Sequence, residues 1–313
     1  MSPARDPWLK PRRLSSGDRV ALVAPASPFK REELDAGVRE LNALGFDAVY
    51  DERVFERQRF MAGDATLRAQ LLTDAWHDRS VAAIITVRGG YGSAETLPLL
   101  DARLMRDARK VFVGYSDITA LLTFHLNHGL VCFHGPMIER RFASGPTAYH
   151  RDSFLGAVTN VEPLGALVPD TLQALKDGEA AGVLVGGTLT QLAASLGTPW
   201  QADLPQGCVL FLEDVAERPY RIRRMLTQLA QSGLLQRAAG LVFGELPSCD
   251  EPGGDPVIRD VLREFLHSFS GPVLIGFPSG HTTGATWTLP LGVRARIATS
   301  PAPALIIEEA AVA

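Results

Sequence analysis

The sequence predicts an α/β protein in two parts: an N-terminal, mainly parallel α/β sandwich domain and a C-terminal mixed, strand-rich α/β domain. Three observations carry this. Short apolar runs alternate with helical periodicity through the first half. Glycine and proline (Gly145-Pro146, Pro163, Pro169) break the pattern between about residues 143 and 181. Beyond that break, apolar strand-like runs outnumber helical ones. The expected boundaries are 15–145 for the first domain, 146–181 for a connection and 182–313 for the second domain.

Each element has its own signal. Residues 19–24 are an apolar run stopped by Pro25, the pattern of a buried strand. Helical periodicity follows from about Arg31 to Leu44, with Gly45 placed to cap its end. A short strand is expected at 47–50, and Asp64 is placed to cap a helix carrying Leu67, Leu71, Leu72 and Trp76. The next strand, 81–87, runs into Arg88-Gly89-Gly90-Tyr91-Gly92. After another helical stretch come a strand at 111–113, the turn Gly114-Tyr115-Ser116-Asp117, a helix from Ile118, and a strand at 131–133. Repeated β-α units of this kind imply a parallel sheet covered by helices, with ligands beyond the carboxyl ends of its strands. In the second half, strands are expected at 183–185, 209–212, 241–243, 273–275, 287–289, 293–298 and 304–307, with helices near 220–230 and 257–269.

Composition narrows the functional classes. The 313 residues are 46% hydrophobic and 21% charged, in the range of ordinary globular proteins. A formal charge of −4, with 31 basic and 35 acidic residues interspersed, argues against nucleic-acid or membrane-surface partners. No stretch approaches the ~20 apolar residues of a membrane span, and the first ten residues lack a signal-peptide core. Cys132, Cys208 and Cys249, odd in number and widely spaced, suit reduced thiols in a cytoplasmic protein.

Four segments have the residue types that chemistry needs. Ser116 stands between a buried strand and a helix, where a hydroxyl projects beside free backbone N–H groups. The full Gly-x-Ser-x-Gly elbow is absent because Ile118 replaces its last glycine, and Ser116 or Asp117 is equally readable as a helix cap. The 88–92 loop offers backbone N–H groups to an oxyanion or a phosphate, or is simply a tight turn; Glu95 defeats the dinucleotide fingerprint. Glu213 and Asp214 end an apolar strand, with Glu217 one turn further on; such acids either face a crevice or are solvated loop charges. His281 lies in the loop Gly276-Phe-Pro-Ser-Gly-His281, where a near-neutral pKa suits proton transfer to and from a serine, though a surface histidine would look the same. His125, His128 and His134 make a metal conceivable, but no His-Glu-x-x-His or paired cysteines support one.

Together with His134-Gly-Pro-Met137, Gly186-Gly187, Leu212-Glu-Asp214 and Pro219-Tyr-Arg-Ile222, these segments resemble the LD-carboxypeptidases, in family order over nearly the whole chain. That family of serine peptidases includes muramoyltetrapeptide carboxypeptidase and the microcin C immunity proteins. The resemblance implies Ser116 as nucleophile, His281 as general base and acid, and Glu213 as the carboxylate orienting His281. It further implies an oxyanion hole from the backbone N–H groups of Gly90 and Asp117. The nucleophile then comes from the first domain and its partners from the second, so the active site is expected in the inter-domain cleft. Arg88 is a candidate for the substrate's terminal carboxylate.

The implied reaction removes the terminal D-alanine from a muropeptide tetrapeptide during cytoplasmic peptidoglycan recycling, through an acyl-enzyme and with no metal or organic cofactor. Relatives are commonly homodimers. Alternatives are a microcin-type peptidase cleaving peptidyl-nucleotides, with Trp200 or Tyr220 near the base, and a non-catalytic two-domain binding protein; a metallohydrolase ranks third. Departures from the family pattern are Glu95-Thr96, where many relatives carry arginine, Arg223 in place of aspartate, and Thr188 where asparagine often follows the paired glycines.

Overall fold

The computed structural model describes residues 8–313. The reading of the N-terminal segment as lacking a signal core therefore lies, for residues 1–7, outside the described residues. The first half alternates as expected: β1 (Arg19–Val23), α1 (Arg31–Ala43), β2 (Asp47–Tyr50), α2 (Ala65–His77), β3 (Val81–Thr86), α3 (Ser93–Thr96), α4 (Ala102–Ala108), β4 (Val111–Gly114), α5 (Thr119–Asn127) and β5 (Cys132–His134). The Asp64 carboxylate accepts the Leu67 N–H at 2.7 Å, fixing the start of α2. Strands β1 to β5 pair in parallel in the order β5-β4-β3-β1-β2. Helices cover them, which is why β3 and β4 are nearly continuous apolar runs.

The chain continues through α6 (Arg151–Thr159), β6 (Gly165–Leu167), β7 (Gln173–Lys176), β8 (Glu179–Thr188), α7 (Leu189–Ser195), β9 (Cys208–Glu213), α8 (Pro219–Gln231) and β10 (Ala238–Gly244). It ends with α9 (Ile258–Phe265), β11 (Val273–Phe277), β12 (Leu289–Leu291), β13 (Arg294–Ala298) and β14 (Ala304–Ile307). An eight-stranded sheet results, ordered β6-β14-β13-β8-β9-β10-β11-β7. Its centre, β8 to β11, is parallel, and both flanks are antiparallel. The second part is thus the mixed, strand-rich unit expected.

Two boundaries differ from expectation. The 146–181 segment is more than a connection: it contains α6 and supplies β6 and β7, the two edges of the second sheet, and the start of β8. Edge strands are short and tolerate proline and glycine beside them, so their sequence pattern is weak. Conversely, in place of the strand expected at 287–289, β12 forms two residues later; it leaves the second part and pairs antiparallel with β5, Leu289 opposite His134. Pro290 is accommodated because β12 is the edge of the six-stranded sheet.

The exchange of β12 brings the sheets together where the site forms. Tyr115, just past β4, packs edge-on against His281, with ring centroids 5.1 Å apart. Thr119 at the start of α5 accepts the Thr188 backbone N–H at 3.0 Å. Gln191 on α7 reaches the Asp117 carboxylate at 3.2 Å. Carboxyl ends of strands from both sheets therefore face one another.

Candidate active site

Ser116 follows β4 with φ of +64°, a left-handed conformation that non-glycine residues rarely hold. The turn places its side chain against the glycine loop. A Cβ on Gly89 would come within 2.8 Å of Ser116 Cβ and 2.9 Å of its Oγ, so the glycine leaves the Ser116 side chain its place against the loop. Gly90 has φ of +99°, and a side chain there would strike Ser27 Oγ at 2.3 Å. Ser27 in turn anchors the loop, accepting the Tyr91 N–H at 3.0 Å and donating its own backbone N–H to Gly89 at 3.1 Å. The Asp117 carboxylate points away into structure: it accepts the Ser93 N–H at 2.8 Å and the Gln191 amide. Burial raises its pKa, against the opposing pull of the Ser93 and Gly92 N–H groups.

Glu213 ends β9 and is wholly buried. Its Oε2 accepts both the ring Nδ1–H of His281, at 2.8 Å, and the His281 backbone N–H, at 3.0 Å. Its Oε1 accepts the Thr188 hydroxyl and faces His134 Nε2 at 3.8 Å. Burial alone would push this carboxyl up; the His281 and His134 imidazoles more than reverse that, leaving it far below the usual carboxylate range. His281 responds oppositely. Burial would lower the imidazole, and the Glu213 carboxylate overcomes it, so its pKa rises above the ordinary 6.5. A ring hydrogen-bonded through Nδ1 to a buried carboxylate keeps Nε2 for proton transfer.

The loop carrying His281 is clamped from the first part of the chain. Arg141 donates to the carbonyls of Gly280 at 2.9 Å, Gly284 at 3.0 Å, Thr282 at 3.1 Å and Ala148 at 3.3 Å. A fully buried arginine, Arg68 on α2, holds the carbonyls of Pro25, Gly63 and Gly92 and pairs with Glu95 at 2.7 Å. The glycine loop is therefore tied down on both sides.

Other sequence candidates sit elsewhere. Arg88 donates to the Pro28 carbonyl at 2.8 Å and pairs with Glu139 at 3.2 Å. Asp214 accepts the N–H and hydroxyl of Thr190 and so caps α7. Glu217 forms an i,i+4 pair with Arg221 on α8. The three histidines weighed as metal ligands are dispersed in function. His125 Nδ1 meets the Leu121 carbonyl and its ring stacks on Phe112, His128 Nδ1 meets the Phe124 carbonyl, and His134 Nδ1 meets Ser279. Among the described residues, no group of three or more His, Cys, Asp or Glu side chains is arranged to hold a metal ion.

Residues 20–135 match the family model of the LD-carboxypeptidase N-terminal domain, and residues 181–297 match that of the C-terminal domain. The chain belongs to the LD-carboxypeptidase family. It is a serine carboxypeptidase, a hydrolase of peptide bonds, which removes the non-catalytic binding protein from consideration. It is 35% identical to the probable murein peptide carboxypeptidase of Bacillus subtilis, over 95% of this chain and 94% of that protein. At 27% identity it is similar to the microcin C7 self-immunity protein of Escherichia coli, over 91% of each. A crystal structure of muramoyltetrapeptide carboxypeptidase from Oxalobacter formigenes superposes with a TM-score of 0.81 at 32% identity, covering 92% of this chain and 97% of that one. Among the described residues, no helix is long and apolar enough to cross a membrane.

Four residues of this arrangement lay outside the sequence argument or at its margin: Thr188, His134, Arg141 and Arg68. Thr188 and His134 fell within family-like segments, but nothing in the sequence set either against Glu213. Arg68 had a signal in hindsight, since it lies four residues before Leu72 on the buried stripe of α2.

Proposed function

We propose that this enzyme removes the terminal D-alanine from muropeptide tetrapeptides during cytoplasmic peptidoglycan recycling. Ser116 attacks the carbonyl between the L-configured centre and D-alanine. His281 accepts the serine proton and delivers it to the departing amine, and water then hydrolyses the acyl-enzyme with His281 again as base. Glu213 fixes the imidazole and stabilises its charged form. Backbone N–H groups of Gly90 and Asp117 receive the oxyanion. Arg88 receives the substrate's terminal carboxylate in exchange for Glu139.

The observation that carries this reading is the Glu213–His281 hydrogen bond, with the ring of Tyr115, the residue just before Ser116, packed against the same imidazole. The murein peptidase names of the Bacillus subtilis relative and the Oxalobacter formigenes structure support the substrate. The resemblance also brings a homodimer into the proposal, to be checked by light scattering.

The decisive test is D-alanine release from tetrapeptide by the wild-type enzyme and by Ser116→Ala and His281→Ala. Each substitution should lower turnover by ~10⁴ to 10⁶. Glu213→Ala should cost less than either, and Glu217→Ala little; the reverse order for the two glutamates would move the orienting role to Glu217. The microcin relative favours a second substrate, a peptidyl-nucleotide. Trp200, in an apolar hollow of about 290 Å³ with Leu97 and Gln191, is better enclosed for a base than the exposed Tyr220. Faster cleavage of a peptidyl-adenylate than of tetrapeptide would favour that reading.

A further inference from the structure

Glu213 has an imidazole on each side. His281 meets Oε2, while His134, on β5 and wholly buried, presents Nε2 to Oε1 at 3.8 Å. Among the described residues that Nε2 has no hydrogen-bond partner. A polar ring atom left unpaired in a dry interior is costly, so its orientation toward a buried carboxylate needs a reason.

The other side of the ring constrains the proton. His134 Nδ1 lies 2.9 Å from Ser279 Oγ, which also lies 2.9 Å from the Trp287 carbonyl. Ser279 has one hydroxyl proton. If it goes to Nδ1, the ring carries its own proton on Nε2, aimed at Glu213. If it goes to Trp287, Nδ1 must donate to Ser279, and a neutral ring would then turn a bare lone pair toward a carboxylate. That second arrangement is repulsive unless Nε2 is protonated as well. Both attractive arrangements put a proton on Nε2.

Packing keeps this relationship rigid. A side chain on Gly280 would lie 2.6 Å from His134 Cε1 and 2.8 Å from Glu213 Cδ, so the two groups close around the backbone just before His281. We propose that His134 is a positioning residue for the reaction: its Nε2–H, directed at Oε1, works with Thr188 to hold the Glu213 carboxylate for His281. This rests on the Ser116–His281–Glu213 reading above.

The consequence is electrostatic. A donor at Oε1 shares the carboxylate's charge, so removing it leaves more of that charge on His281 and makes the base harder to deprotonate. The groups facing His281 are Glu213 and Asp214 at the end of β9, Tyr115 after β4 and Arg141 after β5. A substitution at position 134 alters none of their charges.

The test compares His134→Leu, which removes the donor, with His134→Gln, whose amide can restore one. D-alanine release from tetrapeptide is measured against pH, alongside ¹⁵N NMR of the wild-type imidazoles. His134→Leu should lower kcat about tenfold, leave KM unchanged, and move the acidic limb of kcat/KM to higher pH. His134→Gln should recover most of the rate and restore the limb. The wild-type spectrum should show His134 protonated at Nε2, a readout that stands even if the leucine variant does not fold. A bare Nε2 in that spectrum overturns the proposal. So does a folded leucine variant with wild-type kcat and limb, or a glutamine variant as impaired as leucine. Wild-type turnover surviving in Ser116→Ala would instead sink the triad reading, an outcome separate from all of these.

Discussion

One oxygen of Glu213 holds both ends of His281: Oε2 accepts the ring Nδ1–H at 2.8 Å and the backbone N–H of the same residue at 3.0 Å. The carboxylate is thereby tied to the loop as well as to the ring. The arrangement also sets the pH dependence. In the proposed mechanism His281 must be neutral to take a proton from Ser116, and Glu213 keeps its pKa above 6.5 against the downward push of burial. The acidic limb of kcat/KM should therefore have its midpoint above pH 6.5. In Glu213→Gln, burial is opposed only by the Asp214 charge, a smaller influence than Glu213, and the limb should move to lower pH than in the wild type while the maximum rate falls.

The same pair links stability to pH, with a definite sign. The raised pKa of His281 contributes stability fully present below 6.5 and lost as pH rises through its folded value. The depressed pKa of Glu213 contributes stability present above 4.5 and lost as pH falls through its folded value. Wild type should exceed Glu213→Gln in stability most between pH 4.5 and 6.5. Urea midpoints across pH check this; a difference that is flat, or largest at high pH, would contradict it.

Gly89→Ala isolates the glycine loop. The backbone of Gly89 has no positive φ, so alanine is conformationally permitted, and the new methyl meets chiefly the Ser116 side chain at 2.8 Å. With Ser116 as the proposed nucleophile, displacing it by a fraction of an ångström should lower kcat by about 10² with the melting temperature little changed. Wild-type kcat would show that the serine does not work from this position.

The parts of this site that sequence made legible are those with strong local chemistry. Ser116 sits at a strand-to-helix turn, Glu213 ends an apolar strand and His281 lies in a glycine-rich loop, each a short-range pattern. What escaped is carried by long-range contacts. Arg141 is 139 residues from the Gly280 carbonyl it holds, and His134 is 145 from Ser279. No periodicity marks such partners. The fold divides the same way: the parallel β-α units were readable, whereas β6, β7 and β12 are edge strands whose pairing depends on where distant chain returns.

Thr188→Val removes the hydroxyl that donates to Glu213 Oε1 while keeping the branched shape of the side chain. A buried carboxylate deprived of one donor should cost kcat about tenfold. Thr188→Ser keeps a hydroxyl and should stay within about threefold of wild type. Equal losses in the two variants would assign the effect to packing against β9 rather than to the hydrogen bond.

Arg68→Met tests whether the glycine loop is held from beneath. The Arg68 side chain is fully buried, yet its Nη2 reaches a Glu95 whose side chain is 39% exposed. Removing the guanidinium lets Glu95 turn to water, but the carbonyls of Pro25, Gly63 and Gly92 lose their donor in a dry site. The expected loss is about 3 kcal/mol, most of it from those carbonyls. Arg68→Lys should recover little, because a single ammonium cannot reproduce the planar fork that meets three carbonyls and a carboxylate. Glu95→Gln, at the exposed end, should cost under about 1 kcal/mol. Urea unfolding with an unchanged m-value reads all three directly. If Glu95→Gln proved as costly as Arg68→Met, the ion pair rather than the carbonyl cradle would be what holds the loop.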